Sequence, residues 1–194
     1  MKRQNKRCLH FLKLLNTGSK PKDDLQMTFR QGNNGDVEQL RLLGLASWGP
    51  FQNTLTPENW EKLFSNLNRK ETYIELLQQS HCIVCQEHGG AIIGMAFLVP
   101  SGHPTDIYPA DWCYIRFVSV HPKHSGKGIG RRLTETCIEM AKSNHEKMIA
   151  LHTSEMMNKA RHIYESLGFT ILRELEPRLG KKYWLYTLSL DSSS

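Results

Sequence analysis

One stretch, Tyr114 to Leu133, limits what the chain can become more than any other. Tyr114 to Val120 is rich in β-branched and aromatic residues and is closed by Pro122, the pattern of a buried strand. A short basic turn comes next, with glycines at the alternate positions 126, 128 and 130. Ile129, Leu133, Cys137 and Met140 then recur at helical spacing, with Arg and Glu on the opposite side, so an amphipathic helix starts inside the glycine turn. A strand that runs through glycines into a helix N-terminus makes an anion site. The first-turn amides lack intrahelical partners, the macrodipole adds about half a positive charge, and the missing Cβ atoms let a phosphate reach the backbone.

Two familiar phosphate loops do not fit. The Walker pattern needs Gly-x-x-x-x-Gly-Lys-Ser/Thr, the dinucleotide pattern needs Gly-x-Gly-x-x-Gly, and strictly alternate glycines satisfy neither. Downstream, residues 149–153 read as a short strand, and Met157, Ala160, Ile163, Tyr164 and Leu167 fall at helical spacing before Gly168, which is placed to end that helix. The first stretch, Ser125-Gly126-Lys127-Gly128-Ile129-Gly130, resembles the coenzyme A loop of the GNAT superfamily of acetyltransferases, Gln/Arg-x-x-Gly-x-Gly/Ala. The second resembles the other GNAT signature, through Asn158, Ala160, Tyr164, Gly168 and Phe169. Order and separation are those of the family, and the resemblance spans roughly Thr28 to Leu190. Ser125 departs from the pattern, which removes one side-chain contact to a pyrophosphate but keeps the backbone cradle, with Lys123, Lys127 and Arg131 close by.

Charge bears on what else the chain could bind. The formal net charge is +6, and residues 1–26 carry seven basic against two acidic residues, leaving the body at +1. The body is therefore not a basic nucleic-acid module. The segment 1–26 reads as a disordered basic tail, with Met27 an alternative start, and its apolar run Cys8–Leu15 is too short and too interrupted for a signal peptide. Nothing approaches the roughly 18 apolar residues of a membrane helix. Five cysteines without framework spacing point to a reducing compartment, hence the cytoplasm. Cys82 and Cys85 lie three apart in a predicted strand, which puts two half-buried thiols on opposite faces rather than on one metal.

In order, the chain predicts a strand at 27–31, a helix capped by Asp36 and broken at Gly49-Pro50, and a helix starting at Thr56 with Pro57 in its first turn. Strands at 80–86 and 91–99 flank the hairpin turn 87–90, and residues 100–111 form a loop positioned to overhang the site. Thr170–Leu175, a turn at 177–182 and Tyr183–Leu190 make a final antiparallel pair, then a frayed end. The expected fold is a mixed α/β sheet of about seven strands, with four helices distributed over both faces, in one domain from 27 to 190. By the resemblance it is the GNAT fold. There the central strand splays from 149–153, coenzyme A enters the cleft, and Trp48, Phe51 and Trp60 on the first helix pair are candidates to line the acceptor pocket.

The resemblance implies acetyl transfer from acetyl-CoA to a primary amine on a small molecule or peptide, with no metal. Ser125, Gly126, Lys127, Gly128, Ile129, Gly130 and Arg131 would hold the pyrophosphate, and Phe117, Val118, Ser119 and Val120 would run beside the pantetheine arm. Asn158 would contact that arm as well, and the amide of Val118 or Ser119 would polarise the thioester carbonyl. Tyr164 falls on the tyrosine that protonates the departing thiolate, a role suited to a phenol that is neutral at pH 7, although such a residue also packs helices onto sheets. A general base is not assigned. Tyr114, Arg116, Val118 and Val120 share one strand face by simple alternation, and Tyr114, Asp111, Arg116, His152 or water are the alternatives. Dimers are common in the family, so the last strand pair is a candidate interface. A catalytically weak acetyl-CoA-binding module, acting as a sensor or interaction domain, is the competing reading.

Overall fold

The structure, a computed structural model, describes residues 27–191; the basic segment 1–26 and the last three residues lie outside it. Seven strands form one sheet in the order β1-β2-β3-β4-β5-β7-β6. These are β1 (Thr28–Gln31), β2 (His81–Gln86), β3 (Ile92–Val99), β4 (Cys113–Val120), β5 (Met148–Ser154), β6 (Thr170–Arg178) and β7 (Lys181–Ser189). Every neighbouring pair is antiparallel except β4 and β5.

Among the described residues five α-helices cover the sheet: α1 (Val37–Trp48), α2 (Pro57–Asn68), α3 (Lys70–Gln79), α4 (Ile129–Ser143) and α5 (Asn158–Ser166). Leu40 and Leu43 of α1 and Tyr73 and Leu76 of α3 pack on one face with Cys82, Val84, Met95 and Phe97. Ile129, Leu133 and Cys137 of α4 and Tyr164 of α5 pack on the other face with Ile83, Cys85, Ile115 and Leu151. The two thiols of β2 thus face opposite ways as expected, but both are fully buried rather than half-buried.

Local chemistry explains the element ends. Thr56 caps α2 by accepting from the Asn59 amide, and Pro57 opens the helix. Asp36 stands at the N-cap position of α1 as expected, but its side chain makes no capping bond to that helix. Asn33 and Asp36 form a reciprocal capping box around a 3₁₀ turn, and Asp36 points inward to a two-pronged pair with Arg30 at 2.8 Å on each prong. That pairing holds the Asp36 carboxyl below the usual carboxylate range. One helix more than the expected four is present, α3: Arg69, in extended geometry, separates it from α2 without any glycine or proline. The β6–β7 turn is tighter than expected, with only Leu179 and Gly180 between the strands, both at positive φ (54° and 69°), as a two-residue hairpin turn demands.

Two irregularities in β4 open the sheet and set which layer each side chain enters. Pairing with β5 is confined to Cys113 opposite Ile149 and Tyr114 opposite Ala150, so beyond Tyr114 the two strands diverge. Pairing with β3 shifts register between Met95 and Phe97, where Phe117 sits at φ +53°, a bulge. The bulge reverses side-chain alternation. Cys113 and Ile115 face α4 before it, Val118 and Val120 face α4 after it, and Tyr114 belongs to a cluster on the other face. The expectation that Tyr114, Arg116, Val118 and Val120 share one face is therefore corrected. Among the described residues, no helix is long and apolar enough to cross a membrane.

Candidate active site

The divergence of β4 from β5 opens a groove of about 900 Å³ that runs through the sheet. Its wall includes Phe117, Val118, Ser119 and Val120 from β4, Ser125 from the glycine turn, and Asn158 and Tyr164 from α5. The sequence signatures, remote along the chain, are thus brought to one cavity.

At one end the groove reaches Pro122 and Ser125 and the glycine turn continues beyond it. Gly126 and Gly128 have φ of +83° and +76°, and Gly128 caps α4 from the left-handed region. A Cβ at either glycine would meet nothing within 4 Å, so the space in front of these amides is open. Along the turn, the first amide to reach back into the helix is that of Arg132, to the Gly128 carbonyl at 3.0 Å. The amides before it are the free first turn, and the room and polarity there fit a pyrophosphate. Side chains contribute less than the sequence suggested. Ile129 is buried in the core and offers only its main chain, and the Arg131 guanidinium is tied to Glu135 at 2.9 Å and Ser166 at 2.8 Å. Lys123 and Lys127 are exposed beside the turn.

The β4 main chain has a defined polarity. His121 N–H donates to Ile93 at 2.8 Å, and Met95 lies opposite Ser119. Alternation along an antiparallel pair then directs the Ser119 amide to β3 and the Val118 and Val120 amides to the open side.

Tyr164 is held from both ends. The Phe169 and Gly168 amides donate to the Tyr164 and Glu165 carbonyls, each at 3.1 Å, with Gly168 at φ +91°: a Schellman ending to α5. The Phe169 ring meets the Tyr164 ring edge-on at 6.0 Å, the hydrophobic contact that accompanies this motif. Burial pushes the Tyr164 phenol up, so it stays protonated at any working pH. Among the described residues its hydroxyl enters no hydrogen bond.

The opposite end is walled by Trp48 and Phe51, by Leu63 of α2 and by Leu179 at the β6–β7 turn. Trp60 is not part of this wall; it packs beside Phe64 and in the small cluster around Leu63. Set into this end are His152, Arg116 and Arg178. Tyr108, from the loop before β4, bonds His152 Nδ1 at 2.6 Å and stacks on Tyr114 at 4.0 Å. Asp106 of the same loop pairs with Arg178 at 2.8 Å. Burial first, then Arg178 and Arg116, drive the His152 pKa down to about 4, so its ring is neutral at physiological pH. Two of the suggested bases lie outside the groove. Tyr114 donates its hydroxyl to the His103 carbonyl at 3.1 Å, and Asp111 is exposed on the loop. Arg178, Leu179 and Tyr183 carry no sequence signal of a site, because only the sheet order brings the last hairpin to β5. Among the described residues, no group of three or more His, Cys, Asp or Glu could hold a metal.

Comparison with known proteins bears on the fold and the family. Residues 46–169 match the sequence model of the acetyltransferase (GNAT) family. The L-amino acid N-acyltransferase MnaT of Escherichia coli is 33% identical over 70 residues, 35% of this chain and 40% of that protein, so the match spans well under two thirds of the relative. Among solved structures, the yncA protein of Salmonella typhimurium with its cofactor acetyl-CoA superposes with a TM-score of 0.61 at 20% identity, covering 87% of this chain and 96% of the other. The PaiA N-acetyltransferase of Thermoplasma acidophilum, in complex with coenzyme A, gives 0.65 at 14% identity over 82% and 97%.

Proposed function

From the premise that the chain belongs to the acetyltransferase (GNAT) family, we propose that it transfers the acetyl group of acetyl-CoA to a primary amine, directly, within a ternary complex. The observation that most supports this is the single groove joining an open amide cradle, a buried phenol and an acceptor chamber.

When bound, acetyl-CoA supplies an activated acyl carbonyl and a thiolate as leaving group. In this reading the free amides from Gly126 to Arg131 bind the pyrophosphate, and Lys123 and Lys127 add charge around it. Asn158 and the open edge of β4 orient the arm that enters the groove. The Val118 N–H, turned to the open side, donates to the carbonyl oxygen as charge develops there. Tyr164 holds a proton in a dry setting and gives it to the departing sulfur. Among the described residues no carboxylate lines the groove to hold an ammonium, and Arg116 and Arg178 disfavour one. The amine is therefore taken up as the free base; its surplus proton passes to solvent without a dedicated protein base, and the Tyr164 phenolate takes a proton back from solvent, so that none is released overall.

The test is thiol release from acetyl-CoA over a broad amine panel, with Tyr164→Phe beside the parent. Because the Tyr164 hydroxyl has no partner among the described residues, its removal orphans no buried group there. Expected is a kcat lower by about 10²- to 10⁴-fold at unchanged acetyl-CoA affinity. Unaltered turnover would remove Tyr164 from the chemistry. Tight acetyl-CoA binding without turnover on any amine would favour the binding-module reading, and absence of binding would overturn the cradle.

A further inference from the structure

The acceptor chamber has an unbalanced charge. Among the described residues, Lys62, Arg116, Lys159 and Arg178 line the groove, and no aspartate or glutamate does. Lys62 is exposed and paired with Glu58 at 2.8 Å, and Lys159 follows Asn158 at the start of α5. That leaves the two guanidiniums near His152. Arg116 is half-buried and, among the described residues, enters no ion pair and no hydrogen bond; its near neighbour is the Phe117 ring, 5.6 Å away. The partner of Arg178, Asp106, has a side chain 74% exposed on the loop rim, the kind of ion pair that is cheaply exchanged. Both guanidiniums line the same groove as His152, which Tyr108 holds by a bond to its Nδ1. A half-buried guanidinium without an acceptor is costly, and its planar fork fits a carboxylate bidentately.

We propose that the acceptor carries a carboxylate, or a similar compact anion, near its reacting amine, and that Arg116 and Arg178 grip it in the chamber walled by Trp48, Phe51 and Leu179. This deepens the acyl-transfer reading and rests on it. The anion is not one of the phosphates of coenzyme A. Tyr164 and α4 lie on the opposite face of the sheet from Tyr108 and Tyr114, and the glycine turn with its free amides serves the phosphate end. Polyamines and lysine side chains flanked by cations meet repulsion here. Small amino acids, with apolar portions against Trp48 and Phe51, meet none.

The experiment compares kcat/KM for matched pairs on the full chain: each common L-amino acid, β-alanine and 4-aminobutyrate against its carboxamide and its decarboxylated amine. The carboxamides have the less basic amines, so intrinsic reactivity works against the expected result. The acid is expected to be preferred by about 10- to 100-fold. Arg116→Gln and Arg178→Gln each remove most of that preference through KM for the acceptor, leaving KM for acetyl-CoA unchanged, and Arg116→Lys restores part of it. Preference for neutral or cationic amines, or an acid-to-amide ratio indifferent to Arg116→Gln, overturns the proposal. A second readout is independent of turnover: calorimetric binding of N-acetyl-L-leucine and N-acetyl-L-leucinamide to the CoA-loaded chain. Tighter binding of the acid, abolished by Arg116→Gln, supports the anion grip even if the acyl-transfer reading fails on every amine. Equal binding of the two refutes it.

Discussion

Gly94 sets how close α4 can come to the sheet, and so where the amide cradle stands. A Cβ at this position would lie 2.7 Å from Ile129 Cγ2, and 3.2 Å from both Cys85 Cβ and Leu133 Cδ1. Ordinary carbon contacts are about 3.5–4.0 Å, so Gly94→Ala forces roughly an ångström of retreat. None of the three neighbours can swing aside, because Ile129, Leu133 and Cys85 are all buried. The cost is that of overpacking, about 1–3 kcal/mol. For a domain of this size each kcal/mol shifts Tm by about 2–4 °C, so melting should fall by roughly 2–12 °C. Ile129 opens α4 directly after Gly128, and its displacement carries the first-turn amides with it. Acetyl-CoA affinity, measured by calorimetry, should weaken along with Tm. A thermodynamic cycle isolates the cause: Ile129→Ala alone leaves a cavity costing about 2–5 kcal/mol. The double variant should lose less than the sum of the singles by about 1 kcal/mol or more. Strict additivity, or a lower Tm with acetyl-CoA binding untouched, would refute the idea that β3 fixes the position of the cradle.

Two further outcomes can be checked on the full chain. His152 has a folded-state pKa of about 4, below its ordinary 6.5, so the unfolded chain takes up a proton first as pH falls. Its contribution to stability is therefore level above pH 6.5 and declines from there toward pH 4; urea midpoints of the parent, compared with His152→Gln, should converge over that window, and a pH-independent gap would contradict the burial argument. Cys82, Cys85, Cys113 and Cys137 are buried, and burial pushes all four thiols up, Cys85 to about 11. In a Cys8→Ser chain, Ellman's reagent should find no reactive thiol in the native state and four after denaturation; fast native reaction would mean that the sheet opens.

What the sequence disclosed was mainly what is local. The strand, glycine turn and helix from Tyr114 to Leu133 could be read because each step has its own residue chemistry. So could α5, where Tyr164, Gly168 and Phe169 build the helix ending and the packed phenol from within six residues. The Thr56 cap and the opposed thiols of β2 were legible for the same reason. The bulge was not. A phenylalanine at φ +53° violates the preference on which alternation rests, and one such residue transferred Val118 and Val120 to the face opposite Tyr114. Asp36 looks like a helix cap until Arg30, on a neighbouring strand, claims its carboxylate. The break at Arg69 carries no residue that stops helices, which hid α3 within a longer run. Arg178 reaches the groove only through the sheet order, which is a property of the whole chain.

The bulge at Phe117 also divides labour along a single strand. Before it, β4 turns Arg116 toward the chamber; after it, the same strand lends its main chain and its Val118 and Val120 side chains to the half that leads into the glycine turn. With Phe117 removed, Ile115 and Val118 would stand two apart and still both face α4, and Arg116 would still face the chamber; what the extra residue adds is the Phe117 ring on the α1 face beside Arg116. A substitution on the near side leaves the far side in register. The kink is thus a seam in the design: the recognition surface can be recut on one side of it while the donor machinery on the other keeps its shape.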